Sequence, residues 1–451
     1  MTTDLQSMKG LSMKKGLICL ISALLVTGCA LCPSETKQSA DEAVVLTLAS
    51  FGNDSKLRKQ IDLFNREHPD YQIEIKQYYR CDRPEEDGIN RLRREILSGK
   101  GPDLINYGGS YLITDVMGKY TENLFPYLEG EQSDFFTNIW NAFAYQDGLY
   151  AIPVDFTLRT YAAARSLTGE RKSWTIEEMI VCYEEEYEKA DGFFMLYPGE
   201  TKKDVFGSLI TGNIGNYVDW ENGTCNFDSG DFKKILAFSN RFPDKLVITE
   251  EFSPMELFSG KKALLLPLSV RSVYDICRPQ LLFREEAACI GYPTEGTDGT
   301  VIVPGNTILA VSTGSRHKDA AWEFISQFLT AEYQESLTDT LPLCRSALEK
   351  QLFSAMTEEY IQDANGRRTL KPKSEIIFEG EEPVNIYKMS EAQKDALSDI
   401  IQNASIASSF DSGLHTILLE EAESYFSGDR PLEETVKVMQ SRARIYIKER
   451  L

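Results

Sequence analysis

The chain has 451 residues with a formal charge of −21, from 48 Lys and Arg against 69 Asp and Glu, and 42% of its residues are hydrophobic. That length exceeds what one hydrophobic core usually serves, which predicts two lobes, and the composition is that of a folded chain rather than a disordered one. The acid excess excludes a broad nucleic-acid-binding face, and three scattered histidines (His68, His317 and His415) offer no His-rich metal motif.

In chain order, Lys9, Lys14 and Lys15 precede an 11-residue apolar run, Gly16 to Val26. A bilayer-spanning helix needs about 20 apolar residues, so residues 1–28 read as a signal peptide and not a membrane anchor. Met8 and Met13 are alternative starts. The run closes on Val26-Thr27-Gly28-Cys29, which resembles the bacterial lipobox. Cys29 is then expected to carry lipid and become the mature N-terminus at the outer face of the cell membrane. Two acyl chains, diacylglycerol-linked, hold a protein at a membrane where one does so only marginally. Residues 29–42 are polar and aperiodic, a tether. Beyond Cys19 and Cys29 the cysteines are odd in number and far apart: Cys32, Cys81, Cys182, Cys225, Cys277, Cys289 and Cys344. They form no C-x-x-C pair and no disulfide framework, and they read mostly as small buried hydrophobes.

The body alternates strand and helix. Val44–Ser50 is a short, nearly all-apolar run, a buried strand. Asn53 or Asp54 can cap a helix carrying Leu57, Ile61, Leu63 and Phe64 that ends at His68-Pro69. Tyr71–Ile75 alternates as a second strand. Ile89, Leu92, Ile96 and Leu97 predict a helix over 84–98, broken by Gly99–Pro102, and Asp103–Tyr107 predicts a third strand. Strands joined by helices with short links predict a parallel open sheet, with ligands beyond the carboxyl ends of the strands, near Ser50–Gly52 and Asn106–Gly108. Further on, Thr175 and Glu178 fit a capping box, Asn222-Gly223 a turn, and Phe232–Phe238 a helix. Glu184-Glu185-Glu186 reads as a solvated helix face.

The order of these pieces resembles the family-1 extracellular solute-binding proteins, the lipid-anchored receptors of bacterial ABC sugar importers with a maltodextrin-binding-like fold. The resemblance covers about residues 44–345. Its landmarks are the Leu57–Pro69 helix, Gly101-Pro102-Asp103-Leu104, Gly148–Pro153, Ser173–Glu178, Phe258–Leu264, Gly291-Tyr292-Pro293, Gly305-Asn306 with Ala310-Val311-Ser312, and Lys318–Ile325. Each is weak alone; the ordered set is specific. The resemblance implies an α/β, two-lobe, periplasmic-binding-protein-like clamshell with three hinge crossings, near Pro153–Arg159, Leu264–Leu268 and Ile308–Thr313. Lobe one is then 43–154 plus 267–309, and lobe two 159–263 plus 313–451, with the C-terminal helices placed by default. Two lobes on thin hinges close on a ligand by changing few dihedrals.

A sugar offers apolar C–H faces that stack on aromatic rings and hydroxyls that pair with planar polar groups. The expected ligand-binding residues are Phe51, Asn106, Tyr107, Asp155, Arg159, Trp220, Arg271 and Asn306, with Tyr274 beside Arg271. Asp155 falls where maltodextrin-binding relatives place a sugar-contacting carboxylate. Each has a plainer reading: core for Phe51 and Tyr107, a helix cap for Asn106, a solvated hinge charge for Asp155, turn packing for Trp220, a lobe–lobe salt bridge for Arg271, a Gly-Asn turn for Asn306. Trp140 and Trp174 read mainly as packing. Ser315-Arg316-His317-Lys318 matches S-x-x-K, but the companion signatures are missing and the string reads as a helix start. The expected function is capture of a sugar or oligosaccharide for ABC permease subunits by a monomeric, non-enzymatic receptor with no cofactor or metal. The alternatives are a lipid-anchored carbohydrate-active enzyme and a ligand-sensing partner of a membrane kinase. The acidic surface argues against anionic ligands unless Arg159 or Arg271 locally reverses the field.

Overall fold

The computed structural model describes residues 43–449 apart from 53, 79–84, 109–117, 131, 191–192, 247–251, 363–365, 378–381 and 409–410. The leader, Cys29 and the tether, with Cys19, Cys32 and Cys81, lie outside the described residues, as does Asn53. Among the described residues no helix is long and apolar enough to cross a membrane.

Strand β1 (Val44–Ser50) pairs in parallel with β2 (Tyr71–Gln77) on one side and β3 (Leu104–Asn106) on the other. Helix α1 (Ser55–Glu67) and helix α2 (Glu85–Leu97) make the crossovers. The Asp54 carboxylate accepts from the backbone N–H groups of Lys56 and Leu57 at 2.9 and 3.2 Å, so α1 starts there. Leu57, Ile61 and Phe64, spaced along one stripe, are buried. A fully buried Phe or Leu contributes about 1.5–3 kcal/mol, so this stripe alone fixes the helix on its sheet.

Strand β4 (Ile152–Pro153) joins the first sheet, and β5 (Asp155–Ala164) is the spine of the second; only Val154 separates them. Then follow β6 (Leu266–Val270), β7 (Ala287–Cys289), β8 (Val301–Pro304), β9 (Ile308–Val311), β10 (Leu341–Pro342) and β11 (Ile406–Ala407). The first sheet has the order β2-β1-β3-β9-β4, with β9 antiparallel to β3. In the second, β5 pairs antiparallel with β6, β7, β8 and β10, and β11 runs parallel to β8.

Alternation along β5 sorts its side chains. Phe156, Leu158, Ala162 and Ala164 enter one apolar core, which continues through Val154 to Leu46, Phe64 and Phe324 on the first sheet. Tyr161 and Ala163 enter a second core built by helices 176–189, 202–211, 230–239, 412–426 and 432–448. The other face of the first sheet carries a small third core with Ala49, Phe51, Ile105, Tyr107 and Ala310.

The lobe boundaries differ from the sequence expectation. The resemblance puts residues 267–309 in lobe one, but β6, β7 and β8 all pair within the second sheet, and only β9 adds to the first. The resemblance puts residues after 313 in lobe two, yet helix Lys318–Ser326 packs on the first: Phe324 meets Phe64 edge-on at 5.5 Å, and Lys318 pairs with Glu122 at 2.8 Å. Three chain crossings join the sheets among the described residues, at Val154, at Gly305–Thr307 and at Ser336–Thr340. Leu264–Leu268 is no crossing, because Leu264 and Leu265 hydrogen-bond to Met195 and Leu196 inside lobe two.

Other expectations hold in detail. Thr175 and Glu178 form a reciprocal capping box, and Gly223 supplies the positive φ of the hairpin turn between Val218–Asp219 and Thr224–Cys225. Trp140 is buried, and Trp174 is buried with its indole N–H donating to Gly291 O at 3.2 Å. Cys182, Cys225, Cys277, Cys289 and Cys344 are free thiols, buried or half-buried. The helix after the S-x-x-K string starts at Lys318 with His317, not Ser315, at the cap position; the Ser315 hydroxyl instead donates to Asp103 at 2.7 Å.

Candidate functional site

The three crossings converge on one cavity of about 460 Å³. Asp155 directly follows the first crossing, Gly305, Asn306 and Thr307 come from the second, and Asp339 and Thr340 from the third. The start of α1 adds Asp54, Ser55 and Lys56. The remaining wall follows from strand alternation: Asp155, Thr157 and Arg159 lie on one face of β5, and Val303 opposite Thr157 and Ser269 opposite Arg159 extend that face across β8 and β6. Arg271, two residues beyond Ser269, continues it.

Asp155 is 4% exposed, and its Oδ1 is buried without a hydrogen-bond partner. Gly305 lies directly over it: a Cβ there would sit 1.6 Å from that oxygen. Burial pushes the carboxyl up from 3.8 to about 6, against the opposing positive charge of Lys56, and Asp54 and Asp339 add to the rise. Asp54 is engaged twice, capping α1 and accepting from the Thr307 hydroxyl at 2.5 Å. Lys56 bonds Asp339, which that contact holds below the usual carboxylate range.

A smaller, more apolar chamber of about 280 Å³ shares Arg159 and Val303 with this cavity. Trp220, Ile210, Ile214, Leu414 and Leu418 supply its apolar wall, and Asp411 and His415 are polar members. Burial lowers the His415 pKa, favouring the neutral ring.

The structure therefore brings together Asp155, Arg159, Arg271 and Asn306 in the larger cavity, and Trp220 with Arg159 in the smaller. It does not bring Phe51, Asn106 or Tyr107 to either. Phe51 and Tyr107 are 3% and 0% exposed within the third core, and Asn106 is 1% exposed. The reason is that the second crossing covers these strand ends. Asn106 Oδ1 accepts from the backbone N–H groups of Gly108 and Ile308 at 3.0 and 2.9 Å, splinting the two segments together. A Cβ at Gly108 would lie 1.3 Å from Asn306 O, so the backbones are in direct contact. Tyr274 packs against the first core, outside both cavities. Sequence reasoning missed Asp54, Lys56, Thr157, Ser269, Asp339 and Thr340. Thr157 was legible, since it lies between Asp155 and Arg159 on the period of two; Asp339 carried no local signal.

The sequence profile of the bacterial extracellular solute-binding proteins matches residues 59–362. The chain belongs to this family. Solved structures share the fold at low identity. The sugar-binding protein MalE of Xanthomonas citri aligns with a TM-score of 0.56 at 15% identity, over 90% of this chain and 98% of its own. A family-1 extracellular solute-binding protein of Alicyclobacillus acidocaldarius aligns at 0.54 and 13%, over 91% and 100%. The cyclic alpha-maltosyl-1,6-maltose binding protein of Arthrobacter globiformis aligns at 0.52 and 13%, over 90% and 100%. No curated protein matches the chain in sequence.

Proposed function

We propose that this extracellular solute-binding protein is the lipid-anchored receptor of an ABC importer, held at the outer face of the cell membrane through Cys29, and that it captures a sugar or oligosaccharide by lobe closure as a monomer. The observation that carries the reading is the convergence of all three crossings on one cavity. A ligand held there touches both lobes and the hinge, so its binding energy bears directly on closure. The lining suits a polyhydroxylated guest. Arg159, Arg271 and Asn306 offer planar polar groups, with Asp155 buried behind them, and Trp220 lines the adjoining chamber. The Xanthomonas structure is that of a sugar-binding protein and the Arthrobacter one is named for cyclic alpha-maltosyl-1,6-maltose, which suits this class. The lobes are proposed as the first sheet with helix 318–326 and the second sheet with its flanking helices.

The test is a carbohydrate panel read by thermal shift and solution scattering on the full chain. A ligand raises Tm, reduces the radius of gyration and is recovered unchanged. If a broad panel gives neither shift, the sugar assignment fails; if new reducing ends appear, the enzyme alternative takes its place. Replacing Cys29 with Ala is expected to release the protein from membranes, and retention would refute the lipid anchor.

A further inference from the structure

Six charged side chains line the larger cavity: Asp54, Lys56, Asp155, Arg159, Arg271 and Asp339. Their formal charges cancel, in a chain whose total is −21. They are not equally available. Asp54 is spent on the α1 cap and Thr307, Asp339 on Lys56, and Asp155 lies buried beneath Gly305. Arg159 and Arg271 are exposed, and neither guanidinium makes a hydrogen bond or ion pair among the described residues; for Arg271 the only bond is its backbone N–H to Asp275. The lobe–lobe salt bridge that is the plainer reading of Arg271 is not formed; Asp339 pairs with Lys56, and the Arg271 charge acts on it only from a distance.

The pairing of β5 with β6 places Arg159 opposite Ser269, so Arg271, two residues on, is its diagonal neighbour on the same face. Two adjacent cations facing a partly enclosed cavity repel each other until an anion lies between them, and guanidinium forks match carboxylate or sulfate oxygens two at a time. Neutral hydroxyls need no such pair. Arg159 also lines the Trp220 chamber, so it borders both spaces.

We propose that the ligand is an acidic saccharide, whose anionic group is held between Arg159 and Arg271. This rests on the sugar-binding reading above and narrows it to a substrate class.

Calorimetry on the full chain tests it, with trigalacturonate as the carboxylated probe, a sulfated oligosaccharide as the second anion, and maltotriose and galactotriose as neutral probes. At least one acidic probe is expected to bind tenfold or more tighter than every neutral one, and to weaken several-fold as salt is raised from low to about 0.5 M. Arg159→Met and Arg271→Met are each expected to reduce the preference for the acid over the neutral probes roughly tenfold or more. Both residues are exposed, so an unaltered Tm shows that folding is intact. Neutral sugars binding as tightly as acidic ones would overturn this inference and leave the sugar receptor standing. Acid selectivity surviving in the double variant would place the anion elsewhere and overturn the assignment to these arginines. Binding of no saccharide at all would remove the receptor reading itself, and this inference with it.

Discussion

Asp155 sits at the point where chemistry and mechanics meet, and its burial sets a measurable sign. Folding raises its pKa from 3.8 to about 6. An acid raised on folding favours the folded state while protonated: its contribution is full below the unfolded pKa and is lost as pH rises through about 6. Each pKa unit corresponds to about 1.4 kcal/mol, so the loss between about pH 4 and pH 6 is on the order of 2–3 kcal/mol. Asp155→Asn is therefore expected to stabilise the ligand-free protein by about 1–3 kcal/mol at pH 7.5 and by little at pH 4. Urea unfolding at the two pH values checks this; an equal gain at both would show that ionisation is not the cause. Trp220 makes a complementary case. It is half-buried at the edge of the second core, so Trp220→Ala should cost ligand affinity about tenfold or more with only a modest fall in Tm. A large fall in Tm with unchanged affinity would make it a packing residue. Both residues stand out in the sequence as polar or aromatic types, and the structure places each on a cavity wall. Phe51 and Tyr107 had the same apparent merit and are core, because exposure at a strand end depends on which distant segment covers it.

At the scale of elements, two glycines make opposite demands. A side chain at Gly305 would collide with the Asp155 carboxylate, the end of a side chain that can move. A side chain at Gly108 would collide with the Asn306 carbonyl, which is backbone and cannot move without displacing the second crossing. Gly305→Ala should thus be relieved in the Asp155→Ala background, whereas Gly108→Ala should stay destabilising, by roughly 2–4 kcal/mol, in any background. A double-mutant cycle on denaturation midpoints measures the difference, and additivity at Gly305 would refute the contact. The elements themselves were well marked. The Asp54 cap, the Leu57–Ile61–Phe64 stripe and the Thr175–Glu178 box are local signals, and local signals survive into the fold. The lobe boundaries were not, because β6, β7 and β8 are only three to five residues long. Their sheet is chosen by partners more than a hundred residues away on β5, a choice that no short stretch of sequence contains.

For the whole molecule, the question is what holds the lobes apart or together. The Lys56–Asp339 pair, which links α1 to the third crossing, is 41% and 63% exposed. Exposed pairs are worth about 0–1 kcal/mol, too little to lock a hinge. A ligand at a hundred times its Kd adds about 2.7 kcal/mol to stability, which makes the thermal shift a sensitive readout. The same cavity also predicts how affinity depends on pH. Around Asp155 the cavity also carries Lys56, Arg159 and Arg271, Asp54 in its cap, and Asp339, which Lys56 holds below the usual carboxylate range. Burial raises the Asp155 carboxyl to about 6, so acidification from pH 7.5 to 5.5 removes negative charge from this cavity. An acidic saccharide should then bind about three- to tenfold more tightly at pH 5.5, while a neutral one changes little. Asp155→Asn should show the tighter affinity at both pH values, because its cavity has already lost that charge. Calorimetry at the two pH values decides: a pH dependence that persists in Asp155→Asn would assign the titration to another group, and weaker binding of the acid at pH 5.5 would contradict the charge balance on which the prediction stands.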